Sequence, residues 1–181
     1  MKIIKLAQNK QVAWVMSLDE FVHNLPHLKE AEVNAISIRD SQGASSEINN
    51  QKYAQIDAAG LQNLYVETFD DLAEPIEKRP DLVFPQQDHV VNILNWAKQK
   101  RQENNKAFVV HCTGGVSRSS AIAMLLNQMF VNDYRAGYDV AIYSPNQKVL
   151  EYGEEYLGVD PFRDVVREEE RAYDKKKFDE E

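Results

Sequence analysis

The chain has 181 residues, 43% of them hydrophobic and 28% charged, with a formal net charge of −8. That length can bury a sizeable core in one domain, and the acidic balance excludes a broad electrostatic footprint for nucleic acid or an anionic membrane. A single cysteine excludes an intramolecular disulfide framework and suits a reducing compartment.

The first stretch, Met1–Lys10, has neither a long apolar region nor a cleavage-site pattern and does not read as an export signal. No apolar run approaches the roughly 20 residues of a membrane-spanning helix. A cytoplasmic protein without membrane partners is expected. The run Val12-Ala-Trp-Val15 within residues 11–15 predicts a first strand. Ser17 with Glu20 three residues on forms a capping-box pattern, and Phe21, Val22, Leu25 and Leu28 give the following helix an apolar face that Pro26 shortens or kinks. Asn34–Ile38 alternates as a second strand, and Ser41–Asn50, rich in Ser and Asn around Gly43, reads as a loop.

Leu64–Phe69 is a third strand, halted by Asp70-Asp71. The stretch through Pro75, Pro80 and Pro85 predicts a surface loop over one end of the sheet. Asp88 is expected to cap a helix bearing Val90, Val91, Leu94 and Ala97 that ends near residues 100–105. Ala107–Val110, short and continuously apolar, predicts a central fourth strand. Ala121–Val131 is apolar almost all round, as a helix in a domain centre should be. Tyr138–Tyr143 reads equally as a strand or an interhelical connection, and Ser144-Pro145 as the start of another helix. Strands alternating with helices predict an α/β domain over residues 1–160 with a mostly parallel central sheet flanked by helices. Residues 161–181 are dense in charge and are expected to form a flexible tail, its basic run Lys175–Lys177 solvated.

The chemistry concentrates between the fourth strand and the central helix, in His111-Cys112-Thr113-Gly114-Gly115-Val116-Ser117-Arg118-Ser119. A cysteine attacks only as its thiolate, which a helix N-terminus and a nearby cation favour. Backbone amides converging over a helix start also make an anion site. A nucleophile, an anion cradle and a planar cation thus arrive together. Taken singly, a cysteine is usually a small buried hydrophobe, a Gly-Gly pair a turn, and His111 a structural histidine. In this order and between a strand and a helix they point to phosphate handling.

This stretch resembles the His-Cys-x5-Arg-Ser/Thr signature of the cysteine-dependent protein tyrosine and dual-specificity phosphatases, and matches it throughout. The resemblance implies that Cys112 accepts the phosphoryl group and that the Arg118 fork holds two phosphate oxygens. It implies that the backbone from Thr113 through Gly114, Gly115, Val116 and Ser117 to Arg118 lines the cradle. Ser119 would assist breakdown of the intermediate, and His111 would support the cysteine. Gly114 stands where the family usually has alanine. The leaving oxygen needs a general acid, ordinarily a carboxyl group, and in the family an upstream aspartate supplies it. Asp70, Asp71, Asp81 and Asp88 are the candidates. Spacing from the cysteine favours Asp81, whereas the Phe69-Asp70-Asp71 strand end favours Asp71, with Asp70 next and Asp88 better read as a helix cap.

More narrowly, the chain is similar to a group of bacterial protein tyrosine phosphatases over roughly residues 11–158, through Ala35–Arg39, the Phe-x-Asp strand end, Pro85 with His89, and Ser144-Pro-Asn146. The substrates implied are phosphorylated proteins or peptides, phosphotyrosine first, with dual specificity open and no cofactor required. Phosphoinositides are less favoured because residues 113–117 contain no lysine. A rhodanese-type sulfurtransferase and a non-catalytic phosphopeptide-binding module are the alternatives. His23 and His27 are four apart, but Pro26 between them and the lack of a third ligand argue against a metal pair.

Overall fold

The computed structural model describes residues 11–179. The reading of Met1–Lys10 as lacking an export signal falls outside the described residues. Four parallel strands form one sheet in the order β1-β4-β2-β3, where β1 is Ala13–Met16, β2 Asn34–Arg39, β3 Asn63–Thr68 and β4 Phe108–His111. Helices cover both faces, giving the single-domain α/β architecture expected. Among the described residues no helix is long and apolar enough to cross a membrane.

Successive side chains of a strand point to opposite faces, and β4 divides its residues accordingly. Phe108 and Val110 pack with helices α4 (Gln87–Glu103), α5 (Arg118–Val131) and α6 (Gln147–Leu157), and Cys112 continues on that face. Val109 packs on the other, against Leu18 and Phe21 of α1 (Leu18–His23), Leu28 of α2 (Leu25–Glu30) and Tyr53 and Ile56 of α3 (Glu47–Ala58). Full burial of each such aliphatic or aromatic side chain stabilises the fold by about 1.5–3 kcal/mol. Beyond the first turn of α5, Asn127 is a buried polar residue among apolar neighbours. Its Oδ1 accepts from the Val12 and Ala13 amides at 2.8 and 3.1 Å, tying the central helix to edge strand β1.

Several local expectations hold. Ser17 and Glu20 cap each other, with Glu20 N donating to Ser17 Oγ at 3.2 Å and Ser17 N to Glu20 Oε2 at 2.8 Å. The helix they start ends at Asn24, and a second begins with Pro26 in its first turn, so His23 and His27 lie on different helices. Tyr138–Tyr143 is an interhelical connection of turns.

Four expectations do not hold. The loop expected over Ser41–Asn50 ends at Ser46, whose Oγ accepts from Asn49 N at 3.1 Å and caps α3. Gln86 rather than Asp88 caps α4, its amide donating to His89 Nδ1 at 3.1 Å. Asn146, not Ser144, caps α6, its Oδ1 accepting from Lys148 N and Val149 N at 3.1 Å each. The charged terminal stretch forms α7 (Arg163–Asp179). Buried Val166 joins the main core, and Arg163 pairs with Glu154 of α6, so the start of this helix is anchored despite its charge.

Candidate active site

The C-terminal ends of β2 and β4 lie side by side, Ser37 in register with His111. Crevices at such strand ends are where open parallel sheets gather ligands. Cys112 follows β4 directly and is 2% exposed. Its Sγ lies 3.1 Å from Ser119 Oγ in the first turn of α5. The strand end and the start of α5 close around it.

The intervening loop is held from outside through its carbonyls. Thr113 O accepts from Leu18 N at 3.1 Å, Val116 O from Ser144 N at 3.2 Å, and Ser117 O from Asn146 N at 3.2 Å. Ser120 Oγ donates to Val116 O and Ser117 O at 2.5 and 2.9 Å. Gly115 has φ +70°, and a Cβ there would lie 2.6 Å from Ser17 N and 2.8 Å from Met16 C. Only glycine meets both demands without strain. At Gly114 a Cβ meets nothing within 4 Å, so the departure from the usual alanine is sterically neutral.

Arg118 opens α5 and is 3% exposed. Its Nη1 donates to Phe69 O at 2.6 Å and its Nη2 to Asp40 Oδ1 at 2.6 Å. Nε is buried with no hydrogen-bond partner among the described residues. Burial opposes the charge of Arg118, but Cys112, Asp40 and Asp71 together hold its pKa above the ordinary value. Burial likewise works against the Asp40 carboxylate. The Thr113 hydroxyl, donating at 2.6 Å, and the Arg118 charge overcome it and hold Asp40 below the usual carboxylate range.

The candidate acids separate cleanly. Asp71 reaches the loop: its Oδ1 accepts from Ser117 Oγ at 2.7 Å and from Asn146 Nδ2 at 2.8 Å. Asp70 points elsewhere and is 3% exposed, accepting from Ser41 N, Ser41 Oγ and Val83 N at 2.9, 2.6 and 2.7 Å, which clasps the start of the proline-punctuated loop to the β2 end. Asp81 forms an exposed pair with Arg79 at 2.7 Å, and Asp88 lies in the first turn of α4.

His111 is fully buried behind Cys112, its ring centroid 4.3 Å from that of Phe21. Neither ring nitrogen has a partner in hydrogen-bond geometry among the described residues. Burial lowers its pKa to about 3; the nearby Cys112 backbone favours the protonated ring too little to offset this. The ring is therefore neutral at ordinary pH and contributes no charge to the thiol.

Two residues of this constellation escape a reading of the sequence. Asp40 carried a signal that could have found it, an acid at the C-terminal end of a parallel strand beside the cysteine strand. Asn146 stood within Ser144-Pro-Asn146, but its bridge from the α6 start to Asp71 and Ser117 appears only in three dimensions.

No protein-family model matches the chain, and no curated protein matches it in sequence. Solved structures do. The human tyrosine phosphatase-like serine/threonine/tyrosine-interacting protein is 17% identical with a TM-score of 0.55, over 80% of this chain and 90% of that one. PTPMT1 in complex with PI(5)P is 13% identical with a TM-score of 0.52, over 87% and 94%. A further structure of PTPMT1 is 15% identical with a TM-score of 0.50, over 90% and 93%. The chain has the fold of these tyrosine-phosphatase-like proteins.

Proposed function

We propose that the chain is a phosphomonoester hydrolase that works through a cysteinyl-phosphate, acting on phosphorylated proteins or peptides and first on phosphotyrosine. The observation that carries this reading is the convergence on one loop of Cys112, the buried Arg118 whose Nε has no partner among the described residues, and Asp71 bonded to Ser117 Oγ. With the loop carbonyls engaged from outside, the amides from Thr113 to Arg118 are assigned to the cradle, and the α5 N-terminus adds its dipole.

The Cys112 thiolate attacks phosphorus as the bond to the leaving oxygen breaks, and Asp71 supplies the proton that this oxygen takes up. Arg118 and the amides hold the equatorial oxygens, where charge is spread in the transition state. Water then attacks phosphorus as the S–P bond breaks, giving one proton to the Asp71 carboxylate. The departing thiolate receives a hydrogen bond from Ser119 Oγ, and inorganic phosphate leaves. The thiolate serves as nucleophile and leaving group, so the cycle needs no metal or other cofactor. His111 supports the strand end by packing, without proton transfer. Asp70 is assigned to holding the loop that carries Asp71.

The test is hydrolysis of an aryl phosphate and a phosphotyrosine peptide. Cys112→Ser lowers turnover by about 1,000-fold or more with an unchanged melting temperature. Asp71→Asn lowers it by about 100-fold for poor leaving groups, and less for activated ones. Turnover retained in Cys112→Ser sinks the covalent route. Loss at Asp81→Asn, with Asp71→Asn unaffected, moves the acid.

A further inference from the structure

The conformation of the guanidinium is set by something other than phosphate. A guanidinium has two edges that can bind an oxyanion bidentately: one made by Nη1 and Nη2, the other by Nε and the hydrogen of Nη2 syn to it. In Arg118 both terminal nitrogens are already engaged. Nη1 donates to Phe69 O at 2.6 Å and, at greater length, to Arg39 O at 3.5 Å; Nη2 donates to Asp40 Oδ1 at 2.6 Å and to Thr113 Oγ1 at 3.4 Å; Nε, buried, has no partner among the described residues.

Asp40 is held in turn. Its Oδ2 accepts from Thr113 Oγ1 at 2.6 Å and from Asn49 Nδ2 at 3.4 Å, and its amide donates to Tyr53 OH at 3.3 Å. The preceding Arg39 is gripped by Asp57 at 3.0 and 2.5 Å and lies over the Tyr53 ring, 5.1 Å from its centroid. Asn49, Tyr53 and Asp57 are four residues apart along α3 and so share one face. That face is a polar shelf beneath the end of β2.

We propose that Asp40 is a positioning residue: buttressed by α3 and Thr113, it fixes the Nη end of Arg118 and leaves the Nε side turned to the phosphate. The proposal rests on the phosphatase reading only in taking phosphate as the ligand of Arg118. It makes a distinctive demand, because a carboxylate this close to the cation also repels an incoming dianion. If Asp40 served only to offset charge, removing it would tighten oxyanion binding. If it positions, removing it weakens binding.

The experiment measures tungstate affinity by calorimetry in a Cys112→Ser background, where turnover plays no part, alongside KM and kcat for an aryl phosphate in the otherwise wild-type chain. Asp40→Ala should weaken tungstate by about 10- to 100-fold, the loss of one charge-assisted hydrogen-bond geometry. KM should rise with it, and Asp40→Glu should recover part of both. Thr113→Val, which removes one support and leaves the carboxylate, should weaken tungstate by about 3-fold, and it serves as the test if Asp40→Ala does not fold. Tungstate affinity unchanged or improved in folded Asp40→Ala, or in Thr113→Val where it stands in, overturns the proposal. Asp40-dependent tungstate binding without any wild-type hydrolysis would overturn the phosphatase reading and leave the positioning role standing.

Discussion

The buried His111 ring makes stability depend on pH in a direction and window that the structure fixes. The unfolded imidazole has the ordinary value of 6.5, and burial against Phe21 lowers the folded one to about 3. Between these values the unfolded state binds a proton that the native state refuses, so stability rises with pH across the interval. The contribution is complete above 6.5 and is lost progressively as pH falls toward about 3, where the folded ring itself protonates. Each unit is worth about 1.4 kcal/mol, so going from about pH 7.5 to about pH 5 costs about 2 kcal/mol through this one residue. The other titratable groups, the remaining three histidines included, are common to the wild type and a variant. Urea unfolding of wild type and His111→Gln at both pH values isolates the effect. The wild type should lose about 2 kcal/mol more than the variant over the interval, with parallel m-values. Identical losses in both proteins would refute a neutral, desolvated His111, and a cationic ring beside Cys112 would have to be reconsidered.

Two further predictions concern the frame around the loop. Gly115→Ala forces a side chain into the Met16–Ser17 backbone at φ +70°, so it should cost about 2–4 kcal/mol and abolish oxyanion binding, whereas Gly114→Ala should change neither by more than about 0.5 kcal/mol. Melting temperature and tungstate affinity of the pair check this; equal effects at the two glycines would refute it. Asn127→Leu preserves volume but strands the Val12 and Ala13 amides, so it should cost about 2–4 kcal/mol in urea unfolding, and a loss under about 0.5 kcal/mol would mean that β1 does not depend on this tie.

The elements legible in the sequence are those that bury an apolar face. β4 and α5 are read from nearly unbroken apolar runs, and both sit where the core is thickest. α3 reads in part as loop because it buries only Tyr53 and Ile56, and on its most regular face, Asn49-Tyr53-Asp57, Asn49 and Asp57 meet Arg39 and Asp40 while Tyr53 alone also enters the core. Its polarity, which looks like solvent exposure in one dimension, is matched by charged partners in three. α7 misled for the converse reason. Its charge density suggested a flexible tail, yet Val166 in the core and the Arg163–Glu154 pair anchor its first turns. A sequence window averages over the helix and misses an anchor at one end.

The same distinction separates the parts of the candidate site. Cys112, Arg118 and Ser119 lie within eight residues, so chain connectivity alone brings them together and their spacing can be read directly. Choosing among Asp70, Asp71 and Asp81 needed more, because adjacent residues at a strand end point to opposite sides. Asp70 turns in toward Ser41 and Val83, and Asp71 turns out toward Ser117. Asp40 needs the strand order as well as its place at a strand end. It stands 78 residues before Arg118, and nothing local relates them. Their pairing follows from strand order: β2, second in the chain, inserts beside β4, last in the chain, and brings its end level with the cysteine loop. Had β3 occupied that place, Phe69, which follows the Arg39–Thr68 register pair as Asp40 does, would stand there with no side-chain acceptor, where Asp40 offers a carboxylate that bonds Arg118 with one oxygen and Thr113 with the other. The order of four strands thus decides whether Arg118 meets a carboxylate at this point.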